Sequence, residues 1–198
     1  GVINVGAGLL FVALGGSLGS GAANATRDAK ARVIEGFSSY AAVAVLNGFA
    51  MMTLQVVFIR VGGFSLGSSH FTFAMVVAVF VLCIALGSLL VSPFRNIRPI
   101  AIVATQWALV GSLILLYPFL EDAPYYAHVL RSQFGSRASE FGAYYARVFL
   151  WLLVVLGPPV LLSGAILPLL FGHLRRQVGE LGSVAGRLYS WNTVGSLL

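Results

Sequence analysis

The chain of 198 residues is 59% hydrophobic and 9% charged, with a mean hydropathy of +0.93; an average soluble domain is roughly 25% charged. That balance excludes an ordinary soluble domain and implies an all-α, polytopic membrane protein. The formal net charge of +6 sits in short basic clusters between apolar runs, as membrane topology distributes Arg and Lys, so no nucleic-acid partner is expected.

Residues 1–23 contain the first apolar run, 2–18, a marginal span in which Gly15 and Gly19 have a small-xxx-small spacing suited to close helix approach. A secretory signal is the competing reading, because Gly21-Ala22-Ala23 supplies small residues for cleavage, but no basic leader precedes the run. Gly6-Ala7-Gly8 lacks the third glycine of a dinucleotide-binding turn and the acidic residue that should follow it. Residues 24–36 carry Arg27, Asp28, Lys30, Arg32 and Glu35 and read as a basic linker or interfacial helix.

From 37 to 198 the pattern is that of a helix bundle. The span 40–59 places Asn47, Met51 and Gln55 on one helical stripe, which should face protein, and Arg60 closes it. Amides on such a stripe serve as interhelical glue or line a polar cavity. A glycine- and serine-rich turn, 62–70, leads to the span 71–91, which should pack back on its predecessor as a hairpin; a basic turn, 93–99, then leads to the span 100–120. In the connection 121–146, Leu130, Phe134, Phe141 and Tyr145 recur at helical spacing, the mark of an amphipathic surface helix.

The uncharged run 148–172 holds Pro158, Pro159 and Pro168. Proline has no N–H to donate, so these three free the carbonyls of Val154, Val155 and Gly164. The expectation is a proline-broken helix whose freed carbonyls find partners on neighbouring helices, Ser163 or water, and which lines any internal cavity together with Asn47 and Gln55. The chain ends in a further helix from Leu188, bringing the expected total to about five or six spans. Residue 1 is not Met and the last apolar run has only begun at Leu198, so both ends are expected to be cut.

Basic residues near 24–36, 93–99 and 174–187 outnumber those near Arg60 and in 121–147, which orients the first group to the cytoplasm and 121–146 to the exterior. His70, His128 and His173 then fall on separate connections, and a single cysteine, Cys83, lies in an apolar run, so no metal site is expected.

Several stretches carry a resemblance. Gly67-Ser68-Ser69, Ala85-Leu86-Gly87-Ser88, the run from Pro158 to Leu170 with Ser163 and Pro168, and Gly186-Arg187-Leu188-Tyr189 with Asn192, Thr193 and Gly195 resemble, in order and spacing, the membrane domain of bacterial spermidine synthase-like proteins. The resemblance covers roughly 40–198. It implies a multi-pass domain in the bacterial inner membrane that anchors or serves a cytosolic aminopropyltransferase domain using decarboxylated S-adenosylmethionine and a polyamine. This chain contains no such soluble domain, no glycine-rich cofactor loop and no cytoplasmic acidic pair, so it is expected to catalyse nothing itself. One position departs: the family commonly carries a glutamate where this chain has Gln55, while the arginine five residues on is present as Arg60. Two other readings remain open, a non-catalytic subunit packed among other membrane subunits or as a homo-oligomer, and a small-solute transporter.

Overall fold

A computed structural model describes residues 37–94, 97–135, 138–174 and 181–198. The predicted first span in 1–23 and the basic linker 24–36 lie outside the described residues. The described residues form six α-helices: α1 (Phe37–Leu66), α2 (His70–Val91), α3 (Pro99–Glu121), α4 (Ala123–Ser132), α5 (Phe141–Leu174) and α6 (Leu181–Leu197). A 3-10 turn, Ala138–Glu140, precedes α5.

Four of these helices, α1, α2, α3 and α5, are long and apolar enough to cross a membrane. Together they make the chain a multi-pass membrane protein. The expected five or six spans are therefore four among the described residues; α6, with 17 residues, is about 26 Å long and polar along much of its length. α1 at 30 residues and α5 at 34 measure about 45 and 51 Å, well beyond the ~30 Å of hydrocarbon, so both must tilt or extend past it. Outward-facing Leu46, Val81, Leu89, Ile100, Trp107 and Leu115 present the apolar surface that lipid solvates.

The expected break in α5 is absent. The helix runs continuously through Pro158, Pro159 and Pro168. At Pro168 the physical reason is visible: the freed Gly164 carbonyl accepts a hydrogen bond of 3.3 Å from Ser88 Oγ on α2, which also donates to Ile84 O at 3.0 Å. This reach depends on glycines on both sides. A side chain at Gly87 would run into the Leu161 carbonyl oxygen, and one at Gly164 would lie 2.7 Å from the Ile84 Cα.

The turn between α1 and α2 is shorter than the expected 62–70. α1 continues through Gly62, where a Cβ would meet the Thr72 methyl at 3.3 Å, and reverses only at Gly67, whose φ of 95° is readily available to glycine. Ser69 caps α2 by accepting the Thr72 N–H at 3.1 Å, and the Thr72 hydroxyl donates to Gly67 O at 2.8 Å. Although this turn joins α1 and α2 as a hairpin, their most extensive packing is with other partners, α2 with α5 and α1 with α6.

The core lies between α1, α2, α3 and α5, with Phe58, Phe80, Cys83, Leu116, Val148 and Leu156 buried together and the Phe58 and Phe80 rings 5.8 Å apart. In the connection after α3, the amphipathic helix expected through Leu130, Phe134, Phe141 and Tyr145 is instead the short α4, which buries Ala123, Ala127 and Leu130 on one face; Phe134 lies past its end, and Phe141 and Tyr145 belong to α5. Phe71, Phe141 and Tyr145 meet at this end, with Phe141 and Tyr145 4.5 Å apart, forming an aromatic girdle of the kind found at membrane interfaces. At the opposite end, Tyr40 Oη and His173 Nε2 are 3.1 Å apart and His173 Nδ1 is 3.3 Å from Ile97 O. These contacts place the start of α1, the connection after α2 and the end of α5 on one side of the membrane.

Replacing Gly87 or Gly164 by leucine should force α2 and α5 apart and cost at least the ~1–3 kcal/mol of an overpacked core. Gly111→Ala, which meets nothing within 4 Å, should be neutral or stabilising by up to ~1 kcal/mol through helix propensity. Thermal unfolding of the three variants in detergent, followed by circular dichroism, checks the contrast.

Candidate functional site

Asn47 stands on α1 about 15 Å from the start of the helix, and Ser163 stands a similar distance from the end of α5. Antiparallel packing brings them level inside the bundle. Ser163 Oγ donates to Asn47 Oδ1 at 2.6 Å, and Asn47 Nδ2 donates to Asn192 Oδ1 on α6 at 3.4 Å. Asn47 and Ser163 are both buried, so one amide ties three helices where lipid offers no competing partner.

The α1–α6 seam that carries this network is a second glycine contact. A Cβ on Gly48 would collide with the Asn192 carbonyl oxygen, and one on Gly195 would collide with the Val45 carbonyl oxygen. The two backbones can thus approach closely only because each presents hydrogen where the other presents its carbonyl. Arg187 extends this seam toward the start of α1, with its guanidinium 4.1 Å from the centre of the Phe37 ring.

Beside the network lies a pocket of about 320 Å³ between α1, α2, α5 and α6. The stripe of Asn47, Met51 and Gln55 forms one wall; Ser163 and Pro168 form another, and Tyr189 and Asn192 a third. Ser196 Oγ at its edge donates to Asn192 O at 2.9 Å. No Asp, Glu, Lys, Arg or His lines it among the described residues. Gln55 is half-buried and its amide has no hydrogen-bond partner among the described residues.

Other predicted residues fall elsewhere. Pro158 is exposed and Pro159 buried, and neither lines this pocket, so the cavity expected at the Pro158-Pro159 pair lies instead beside Ser163 and Pro168. Arg60 does not close α1, which runs on to Leu66; it lines a separate open groove of about 690 Å³ at the α1–α2 turn, with Ser68 and His70. Of the motif on α6, Tyr189 packs on Phe171 with ring centres 5.1 Å apart, Thr193 donates back to Tyr189 O at 2.9 Å, and Gly186 faces open space. His173 belongs to the last turn of α5, and no group of three or more His, Cys, Asp or Glu among the described residues could hold a metal ion.

Sequence reasoning missed Gly48 and Ser88 as partners of this site. Gly48 adjoins the noted Asn47, and Ser88 stands in a noted stretch without a role assigned to it; the available signal was a small residue next to a polar or small one on an apolar helix. The partner across the interface could not be read from that.

Truncating Asn47 to Ala should cost about 0.6–2 kcal/mol, as expected for intramembrane side-chain hydrogen bonds, and Asn47→Ala and Ser163→Ala should be non-additive in a double-mutant cycle. Gln55→Leu removes no protein contact of its amide and should leave unfolding in detergent unchanged or shifted upward. No family model matches the chain, and no curated protein and no solved structure matches it.

Proposed function

We propose that this chain is the membrane-integral part of a spermidine synthase-like protein, a helical scaffold that anchors or serves a water-soluble aminopropyltransferase domain. The observation that carries this reading is the use made of the motif residues. Ser88, Gly164 and Pro168, from two of the stretches that carry the resemblance, act in one interhelical hydrogen bond. Asn192 and Gly195, from a third, lock α6 onto α1. Residues that recur together in such a motif are then explained by helix assembly, and transfer chemistry belongs to the soluble domain. Decarboxylated S-adenosylmethionine and a polyamine are the substrates of that domain in this reading, and the chain's own partner is the lipid bilayer of the bacterial inner membrane.

Charge supports the orientation. The end of the bundle held by Tyr40, Ile97 and His173 adjoins Arg98 and Arg187 and is the cytoplasmic side, and α4 with Arg131 is external.

Purified residues 1–198 should transfer no aminopropyl group from decarboxylated S-adenosylmethionine to putrescine above a no-protein control. Turnover abolished by changing Asp28, Glu35 or Glu180, the carboxylates of the segments 24–36 and 174–187 expected in the cytoplasm, would overturn the scaffold reading. Orientation is checked separately in a Cys83→Ser background: Ser132→Cys should react with an impermeant maleimide in intact cells, and Ser92→Cys only after permeabilisation. The reverse pattern would invert the topology.

A further inference from the structure

The pocket beside Asn47 has more hydrogen-bonding capacity than the helices consume. Its serine protons are committed inward: Ser163 to Asn47, Ser88 to the carbonyls of Ile84 and Gly164, and Ser196 to that of Asn192. Serine therefore offers the cavity only lone pairs. Donors remain on Asn192, whose amide oxygen already accepts from Asn47 while its NH₂ has no partner among the described residues. Gln55 contributes a complete amide, donor and acceptor together, that is unpaired among the described residues.

Gln55 and Asn192 are half-buried and line an open pocket, where a bound molecule can supply the missing bonds. The lining fixes what that occupant is. No charged side chain lines the pocket among the described residues, so it favours a neutral occupant over an ammonium or a carboxylate, whose desolvation it offsets poorly. Its volume of about 320 Å³ suits a small solute and is too small for a whole lipid. The mixture of acceptor serines and donor amides requires a molecule carrying both a donor and an acceptor. We propose that this pocket binds a small uncharged solute bearing hydroxyl or carboxamide groups, held by Gln55 and Asn192. The proposal is independent of the scaffold reading, because it rests on the hydrogen-bonding groups that Gln55 and Asn192 leave open to the pocket and not on the family resemblance.

The test uses the full chain in lipid nanodiscs, with glycerol and acetamide as probes and putrescine as the charged counterpart, observed by saturation-transfer NMR. Saturable transfer to glycerol or acetamide, none to putrescine, and at least a tenfold loss of affinity in Gln55→Leu are expected. Arg60→Ala, which alters only the separate groove, should bind as the parent does. The Gln55 amide has no hydrogen-bond partner among the described residues, so its leucine variant should fold, and an unchanged thermal midpoint verifies this. As a second readout, Gln55→Cys in the Cys83→Ser background should react with a neutral methanethiosulfonate reagent more slowly when glycerol is present. No saturable signal from either solute, equal binding by folded Gln55→Leu, or binding of putrescine as strong as that of the neutral probes would overturn the proposal. None of these outcomes bears on aminopropyl transfer or topology.

Discussion

The bundle depends on a carbonyl without a natural donor. Pro168 removes the N–H that should bond to Gly164 O, and lipid offers nothing in return. Ser88 supplies the proton from α2, at the cost of splitting it with its own Ile84 carbonyl. It can do so only because Gly87 and Gly164 let the helices approach until one backbone lies against the other. The proline therefore does not weaken the bundle at this point; it specifies which helix must stand beside α5 and at what height.

The same logic recurs between α1 and α6 with different chemistry. There the close approach is again made by glycine, at Gly48 and Gly195, and the polar link is an amide–amide contact extended to Ser163 on α5. Since α5 takes part in both seams, the α2–α5 and α1–α6 pairs are not independent modules. A shift of α5 along its axis would break the Ser88 bond and the Ser163 bond together. This shared dependence fixes the walls of the Asn47 pocket, which all four helices contribute to.

Much of this architecture was legible in the sequence, because long apolar runs bounded by charge can only be helices in lipid. The stripe of Asn47, Met51 and Gln55 was readable for the same reason: a period near four sorts residues onto a face without knowledge of the partner. What could not be read was pairing. Pro168 announces an orphan carbonyl but not that Ser88 will answer it, and Pro158 and Pro159 send the same signal while lying away from the pocket. Boundaries suffered similarly. The glycines at 62 and 63 look like a turn, yet Gly62 is held in α1 by the packing of Thr72 and Val76 against it, which is tertiary information.

The α6 docking site has a consequence for how the protein is made. Asn192 and its partner Asn47 are 145 positions apart, so α1 leaves the ribosome long before the helix that completes its polar face. Until then the Asn47 NH₂ lacks the acceptor that Asn192 supplies, and lipid has none to give. α6 is short and carries Arg187, Ser190, Asn192, Thr193 and Ser196, so hydrophobicity alone gives it little drive to enter the bilayer. Its place is prepared by a helix that precedes it by more than a hundred residues. Packing of α6 thus relies on glycine fit and amide pairing where hydropathy gives little drive.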